Sequence, residues 1–494
     1  MFVYLLVTLL CLLLLHNYWK LRNLPPGPWG LPVIGYLPWL DPDAPHLTLA
    51  TLAKKYGPIY SLSLGSVSTI IISDSKIIKK IFSKDVTTCR APLYVTHGIM
   101  HGKGLICAEV ELWKDQRRFV HDWLRNIGAS KIGPQKKNME ILILKHTTQL
   151  IERLRIEGKD GPIDSHEALR HQIGSLMCEL VFAESWSKDD KTWNDLLEQQ
   201  EAGLKLIGVA GPLNFLPFLR ILPMFKRIMS YLLEGQKKAH QIYQNFIDKY
   251  EVALSNQACL ENNYSLVKAF LEQRNRLSNK EPSAQFYTHE QLRFLMADIF
   301  GAGLDTTLAT SRWIFLYLAL HEDIQTKVRN EIQMIINDRV PTMDDLNSMH
   351  FTAACIAEIQ RIRPVVPLGM PHGCFDAFEI DGYIVPKGSM IVPLLWSINM
   401  NEEQYKNPHQ FNPNNFLDLD GQFCKNENFI PFQAGKRMCV GDELGRMLLF
   451  LILVSVLRNF QLKLTNKDEA STCGDIGIIM SPKPHKIWFK QIHE

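Results

Sequence analysis

Cysteine is sparse in this chain: 10 in 494 residues, at positions 11, 89, 107, 178, 259, 355, 374, 424, 439 and 473, with no C-x-x-C pair. That density excludes a disulfide-stapled scaffold and reads as reduced, cytosol-facing thiols. Excess charge is missing too. Lys plus Arg is 54 and Asp plus Glu is 51, a net charge of +3, too balanced for a nucleic-acid binder. There is no internal repeat and no low-complexity segment. A hydrophobic fraction of 46% and a charged fraction of 21% exclude a disordered chain, a collagen-like fibre and a multi-pass membrane protein. What remains is ample apolar material for a large core. At roughly 150 residues per domain the length suits about three domains or one large fold.

The one long apolar run is at the start. Phe2 to Leu15 holds Thr8 as its only polar member, and weaker apolar character continues through Tyr18 and Trp19. Its length is near the lower limit for crossing a bilayer. A secretory signal would want a basic leader and a small-residue cleavage site. Instead Lys20 and Arg22 follow the run, which predicts an uncleaved signal anchor with the body in the cytosol. The competing structural reading is a buried N-terminal core helix. With the body cytosolic, the glycosylation acceptor Asn263-Tyr264-Ser265 is expected to stay unmodified. The stretch Leu24-Pro25-Pro26-Gly27-Pro28 cannot be helical, because proline fixes φ and lacks an N–H. It predicts a stiff, extended hinge. The expected organisation is an anchor at 1–22, a proline-rich hinge at 23–44 and one catalytic body at 45–494.

Beyond the hinge, Pro58 to Leu64 and Val67 to Ser73 alternate around Gly65-Ser66 and predict a hairpin. Helical periodicity runs from about Glu111 to residue 360, broken near Gly211-Pro212, Pro217 and Pro223. Turns at Asp381-Gly382 and Pro386-Lys387-Gly388 flank short β-prone runs, with a further strand expected at Ile391 to Leu395. A last helix follows Cys439 to about Leu457. The body is therefore expected to be mainly α with a minor β portion.

The most informative segment is Phe429 to Gly441, FIPFQAGKRMCVG. Two glycines bracket a cysteine just ahead of an apolar helix. Backbone N–H groups and the positive end of a helix favour thiolate, and Arg437 adds a positive charge nearby. A buried cysteine in a turn is the plainer reading of Gly-x-x-x-Cys alone. The full pattern F-x-x-G-x-R-x-C-x-G at 432 to 441 resembles the haem-binding signature of the cytochrome P450 family of haem-thiolate monooxygenases. The resemblance implies that Cys439 is the axial ligand of a haem b iron, that Arg437 bonds a haem propionate and that Phe432 packs beside the sulfur.

Other motifs of that family follow in order. Glu358-Ile359-Gln360-Arg361 matches its E-x-x-R and implies a structural ion pair. The arginine usually third in that network is replaced by Asn415, in Pro413-Asn414-Asn415-Phe416. Ala302-Gly303-Leu304-Asp305-Thr306-Thr307 resembles the oxygen-activation motif, in a helix expected over His289 to Leu318. The glycine is expected to soften and bend that helix, leaving room for dioxygen, while Thr306 supplies the hydroxyl and Asp305 the acid of a proton relay. Trp113 and Arg117, at i and i+4, match the W-x-x-x-R that clamps the propionates, and His372 is a further candidate propionate contact. The resemblance covers essentially the whole chain and looks microsomal: an endoplasmic reticulum membrane protein fed by the NADPH-dependent reductase of that membrane. Lys114, Arg118, Arg125, Lys436 and Arg446 are expected to form that partner's docking face.

For the substrate, Arg90 to Glu109 occupies the place of the family's loop over the substrate. Together with Pro25 to Leu40 and Asp41 to His46 it is similar to the insect ecdysteroid carbon-25 hydroxylases. Side-chain hydroxylation of a sterol-derived precursor is implied. Val209 to Met224, apolar and proline-broken, is expected to be a lid over a membrane-facing entrance, and Cys473 to Met480 a turn at the far end of the pocket. Core packing is the alternative for both. Other functional readings are an ecdysteroid 26-hydroxylase, a broad detoxifying oxidase and a haem-binding protein without turnover. The Asp305-Thr306 pair argues against the last, since passive binding needs no proton relay.

Overall fold

In the computed structural model, residues 4, 24–187, 189–208, 211–255, 264–278, 280–466 and 470–492 are described. The expected anchor, apart from Tyr4, and the acceptor Asn263 lie outside the described residues. Among the described residues no helix is long and apolar enough to cross a membrane.

Leu24 to Pro32 holds no helix, as expected, a 3₁₀ turn follows at Leu37–Trp39, and the stretch is docked on the body. Ser61 Oγ donates to the Pro25 carbonyl at 2.6 Å, and the Ser61 and Tyr36 N–H groups bond Pro26 O and Ser63 O. Those three bonds tie the proline stretch to a β-hairpin, β1 (Ile59–Leu64) and β2 (Val67–Ile72). The hairpin starts a five-stranded sheet. After helices α1 (Pro45–Tyr56) and α2 (Ser75–Phe82) come β3 (Cys89–Arg90), β4 (His372–Gly373) and, beyond a small hairpin β5 (Phe378–Ile380) and β6 (Tyr383–Val385), β7 (Met390–Pro393). The sheet order is β1-β2-β7-β4-β3, with β2 and β7 parallel. Ile70, Ile71 and Ile72 are all fully buried because both faces are covered: Ile71 joins the main core, Ile70 and Ile72 a second cluster with Ile78, Ile81 and Phe82. A strand covered on both sides reads as a continuous apolar run. The strand expected to reach Leu395 ends at Pro393; Leu395 opens a short helix.

The rest is helical: α3 (Val110–Asn126), α4 (Lys136–Glu157), α5 (His166–Phe182), α6 (Lys191–Ile207), α7 (Pro223–Ser255), α8 (Leu266–Arg276), α9 (His289–Leu320), α10 (Glu322–Ile335), α11 (His350–Ile362), α12 (Leu395–Asn399) and α13 (Asp442–Asn459). Several starts are set by side-chain caps: Asp74, Asp190, Ser265 and Thr288 each accept from the N–H three residues on, satisfying donors the helix cannot. Pro212 and Pro217 open 3₁₀ turns and Pro223 opens α7, where proline costs no hydrogen bond. Two further hairpin-like pairs close the chain: β8 (Phe460–Leu464) with β11 (Ile487–Gln491), and β9 (Gly474–Ile476) with β10 (Met480–Pro482).

Helix α9 is the axle. It has 32 residues, about 48 Å at 1.5 Å per residue, and its second half is buried nearly all round, as befits a helix at the centre of a large core. It packs on α5, α7, α11 and α13. Gly303 is where α5 comes closest: a Cβ there would lie 2.5 Å from Met177 Cε. The glycine thus leaves room for the Met177 side chain of α5.

Charge is buried once in the scaffold with full compensation. Glu358 and Arg361 are both 0% exposed. Arg361 Nε and Nη2 donate to the two carboxylate oxygens at 2.7 Å each, and Nη1 donates to Asn399 O and Pro408 O at 2.8 Å. Asn415 Nδ2 bonds both oxygens of Glu358 at 3.2 Å, so the uncharged replacement keeps the third place in the network. Glu358→Ala is expected to cost about 3–5 kcal/mol, because Arg361 is left buried without its anion. Asn415→Ala is expected to cost about 1 kcal/mol. Urea midpoints of the two variants check the ordering.

Candidate active site

The cysteine loop is held to α2 by its backbone. Lys436 N–H bonds Phe82 O at 2.9 Å, and Cys439 N–H bonds Phe432 O at 3.0 Å. Gly435 sits at φ 83°, and a Cβ there would lie 2.3 Å from Phe82 O, so only glycine fits. Cys439 is crowded by protein on most sides yet keeps an accessible surface, so it lines an internal opening. Burial is the largest influence on its thiol and raises the pKa. The Gly441 N–H, Arg117 and Arg446 pull it back, and Asp442 pushes it up. Local sequence chemistry favours thiolate; the folded environment, on balance, favours thiol. Arg437 is not among the cations acting on the sulfur.

Arg437 points elsewhere. It is buried, its guanidinium lies 4.8 Å from the centre of the Trp113 ring, and Nη2 donates to Leu105 O and Ala108 O. Its Nε and Nη1 are buried with no hydrogen-bond partner among the described residues. Arg117, one turn beyond Trp113 on α3, is half-buried, and its charge is felt at Cys439. A third cation, Arg90, was not singled out by motif. It is buried at the start of the loop over the substrate position, donating to Ile106 O at 2.7 Å and Met370 O at 3.5 Å. Burial first, then repulsion from Arg90, holds Arg437 down to about 8; burial lowers Arg90 to about 10, with Cys107 and Asp298 opposing and Arg117 adding a smaller repulsion.

The nearby acids are already engaged. Glu109 accepts from the Arg90 backbone N–H. Asp298 accepts from the N–H groups of Leu105 and Ile106 at 2.6 and 2.7 Å, and burial raises its pKa to about 7. Buried charges are normally paired, and this cluster has N–H groups to spare. A ligand with two carboxylates would supply the missing acceptors, which is what a haem brings with its propionates. The residues fit the group.

His372 is also here, across the β3–β4 ladder from Arg90. Its ring stacks on Phe82 at 3.7 Å, and Nδ1 lies 2.8 Å from Thr87 O. Burial pushes its pKa well below the ordinary value. With Nδ1 turned to that carbonyl, Nε2 is left buried with no hydrogen-bond partner among the described residues. Arg90, on the neighbouring strand, is a further candidate for the same contact. Phe432 lies under the guanidinium of Arg446, 4.8 Å from its ring centre, and its carbonyl receives the Cys439 N–H.

On α9, Ala302 is exposed and Thr306 partly so, although the helix beyond them is buried. They lie one turn apart and so share an open face. Thr306 Oγ donates to Ala302 O at 2.7 Å, which leaves its lone pairs outward. Asp305 turns towards α6, where Gln200 Nε2 donates to its Oδ2 at 2.7 Å. Burial raises its pKa to about 7; Gln200 opposes the rise, Glu201 adds to it, and His166 and Arg170 oppose it. Gln200 was not legible from motif, because its partner is 105 positions away.

Residues 25–489 match the Cytochrome P450 family. The chain is 38% identical to Cytochrome P450 306a1 of Drosophila melanogaster, over 95% of this chain and 89% of that protein. It is 32% identical to Cytochrome P450 18a1 of the same fly, over 97% and 89%, and 32% identical to Cytochrome P450 2C3 of Oryctolagus cuniculus, over 98% of each. With a cysteine loop, an arginine cluster short of anions and a central helix open at one threonine, all inside the matched span, the chain belongs to the cytochrome P450 family of haem-thiolate monooxygenases.

Proposed function

We propose that this monooxygenase hydroxylates the side chain of a sterol-derived, ecdysteroid-type precursor at carbon 25, from the cytosolic face of the endoplasmic reticulum membrane. When bound, haem supplies the iron centre at which dioxygen is activated. Cys439 would ligate that iron; a metal ion deprotonates a coordinating thiol outright, which would offset the burial that raises its pKa. Arg437, Arg117, Trp113 and His372, with Arg90, would hold the propionates. Phe432 packs beside the sulfur and its carbonyl fixes the cysteine backbone. Thr306 and Asp305 move protons on the opposite side: the acid, near half-ionised at neutral pH, refills the hydroxyl. The observation that carries the site reading is Arg437, buried with two N–H groups unsatisfied.

The substrate reading rests on the Arg90–Glu109 loop and what it touches. Tyr94 lies 3.6 Å under the Arg220 guanidinium. Val95 N–H bonds Asn214 Oδ1 at 3.1 Å. Tyr94, Ile99, Met100, Leu213, Met229 and Leu232 form one apolar cluster. Loop and lid segment therefore make a single roof, and its lining suits a lipophilic guest. Outside, Phe218, Ile221, Leu222 and Met224 are exposed beside Arg220, Lys226 and Arg227. An apolar patch with a cationic rim suits a lipid surface, as an anchor at 1–22 requires. At the far end, β9 and β10 meet α9 through Trp313, whose Nε1 donates to Met480 O at 3.1 Å.

The reductase partner is assigned to the face around α3 and the cysteine loop. Lys114 and Lys436 each already have an acid, Glu111 at 2.9 Å and Asp85 at 2.6 Å. Lys79, Lys131, Lys425 and Arg446 crowd one another enough to depress Lys425, after burial, below its ordinary pKa. That excess of positive charge would steer an acidic partner.

Cys439→Ser is expected to abolish the thiolate-type Soret band of the reduced carbon monoxide complex; a retained band sinks the ligand assignment. Thr306→Ala is expected to keep substrate binding while product formed per electron pair falls about tenfold or more, the difference appearing as peroxide. Against a panel of ecdysteroid precursors and unrelated lipophiles, carbon-25 product should dominate. Carbon-26 product or broad turnover would favour the other readings. Lys114→Glu with Lys436→Glu should slow reductase-driven but not peroxide-driven turnover, and weaken its salt dependence.

A further inference from the structure

Asp305 and Thr306 are consecutive, so they leave α9 about 100° apart. Thr306 stays on the open face with Ala302. Asp305 is carried round to α6 and meets the amide of Gln200. That meeting depends on a residue outside the recognised motif. A Cβ on Gly301 would lie 2.8 Å from Gln200 Nε2 and 3.3 Å from its Cδ. Gly301 is therefore a slot through which the amide lies across α9 to reach the carboxyl.

We propose that Gln200 is a positioning residue for proton delivery: through the slot at Gly301 it holds the Asp305 carboxyl against α6, and a small shift of α6 releases it towards Thr306. The proposal rests on the reading of Asp305 as the relay acid. Three features carry it. An amide donates one N–H and has no charge, so breaking the contact strands no buried cation. Helix α6 leads in sequence towards the lid segment, whose Asn214 is tied to the loop over the substrate, so a shift of that roof would have a path to Gln200. The charged groups facing Asp305 are Glu201 on α6 and His166 and Arg170 on α5, of opposite effect. The carboxyl is thus left near its switching range, where one hydrogen bond matters.

The sign follows from the donor. Gln200 bonds the ionised carboxylate better than the neutral acid, so losing it raises the Asp305 pKa. In the resting holoenzyme, infrared pH titration of the protonated-carboxyl band removed by Asp305→Asn gives the midpoint directly. Gln200→Leu is expected to move that midpoint up by about one pH unit. Gly301→Ala, which displaces the amide without removing it, should move it the same way. Both variants should raise peroxide release per electron pair several-fold over the wild type at pH 7.5 or thereabouts. An unchanged midpoint in both, or no band removed by Asp305→Asn, overturns the positioning role. A shifted midpoint in Gln200→Leu with wild-type coupling in Asp305→Asn would instead remove Asp305 from the relay and leave the contact standing.

Discussion

A guanidinium that leaves water must find its acceptors inside the protein, and this fold meets that demand in two opposite ways. Arg361 is given everything: a bidentate carboxylate, two carbonyls at 2.8 Å and a neighbour, Asn415, that completes the anion's own shell. Arg437 is also buried but keeps two N–H groups without acceptors among the described residues, with Arg90 close enough to be felt. A compensated buried charge is scaffold. An uncompensated one is a request for a ligand, because no monomeric domain gains by leaving it so. Other features of the site answer to that asymmetry. The loop at 105–108 must present carbonyls to Arg437, Asp298 must hold that loop by two N–H groups, and α9 must place Asp298 where it can.

That dependence also explains why α9 carries so many tasks within three turns. Asp298 holds the loop, Gly301 admits Gln200, Ala302 and Thr306 leave one face open, and Gly303 lets α5 approach to van der Waals contact with Met177. Each of four successive directions round the helix meets a different neighbour. The glycines are there for sterics and not for flexibility, since α9 remains helical from His289 to Leu320.

Much of this was legible in the residues. The hairpin at Gly65-Ser66, the helical run to Ile362, the cysteine loop and the Glu358–Arg361 pair were all readable, because each is local: its partners lie within a few residues or share a helix turn. What could not be read was long-range. Arg90 reaches Met370 across 280 positions and Gln200 reaches Asp305 across 105, and no spacing rule connects them. The hinge reads as free because its prolines forbid helix, yet Ser61, a residue of the hairpin, ties it down. His372 carries the right residue type in the right region. Its Nδ1 is turned to the Thr87 carbonyl, which the sequence does not reveal.

The cysteine shows the same limit in its chemistry. Read locally, a helix N-terminus and a neighbouring arginine promise a thiolate. In the fold, desolvation outweighs the Gly441 N–H and the more distant Arg117 and Arg446, and the pKa goes up. The arginine beside Cys439 in sequence has its side chain committed to Trp113 and the 105–108 carbonyls. A thiol kept neutral by burial is a poor nucleophile and a slow target for oxidation, so the sulfur is protected until a cation of higher charge arrives. The protein thus spends little of its own positive charge on the sulfur, Arg117 and Arg446 being outweighed by burial. It places that charge at the far edge of the site, where Arg437, Arg90 and Arg117 wait for carboxylates, and leaves ionisation of the thiol to the metal. The two halves of the site are incomplete in complementary senses, a thiol lacking a cation and a set of cations lacking anions, and one ligand that is cationic at its centre and anionic at its rim completes both.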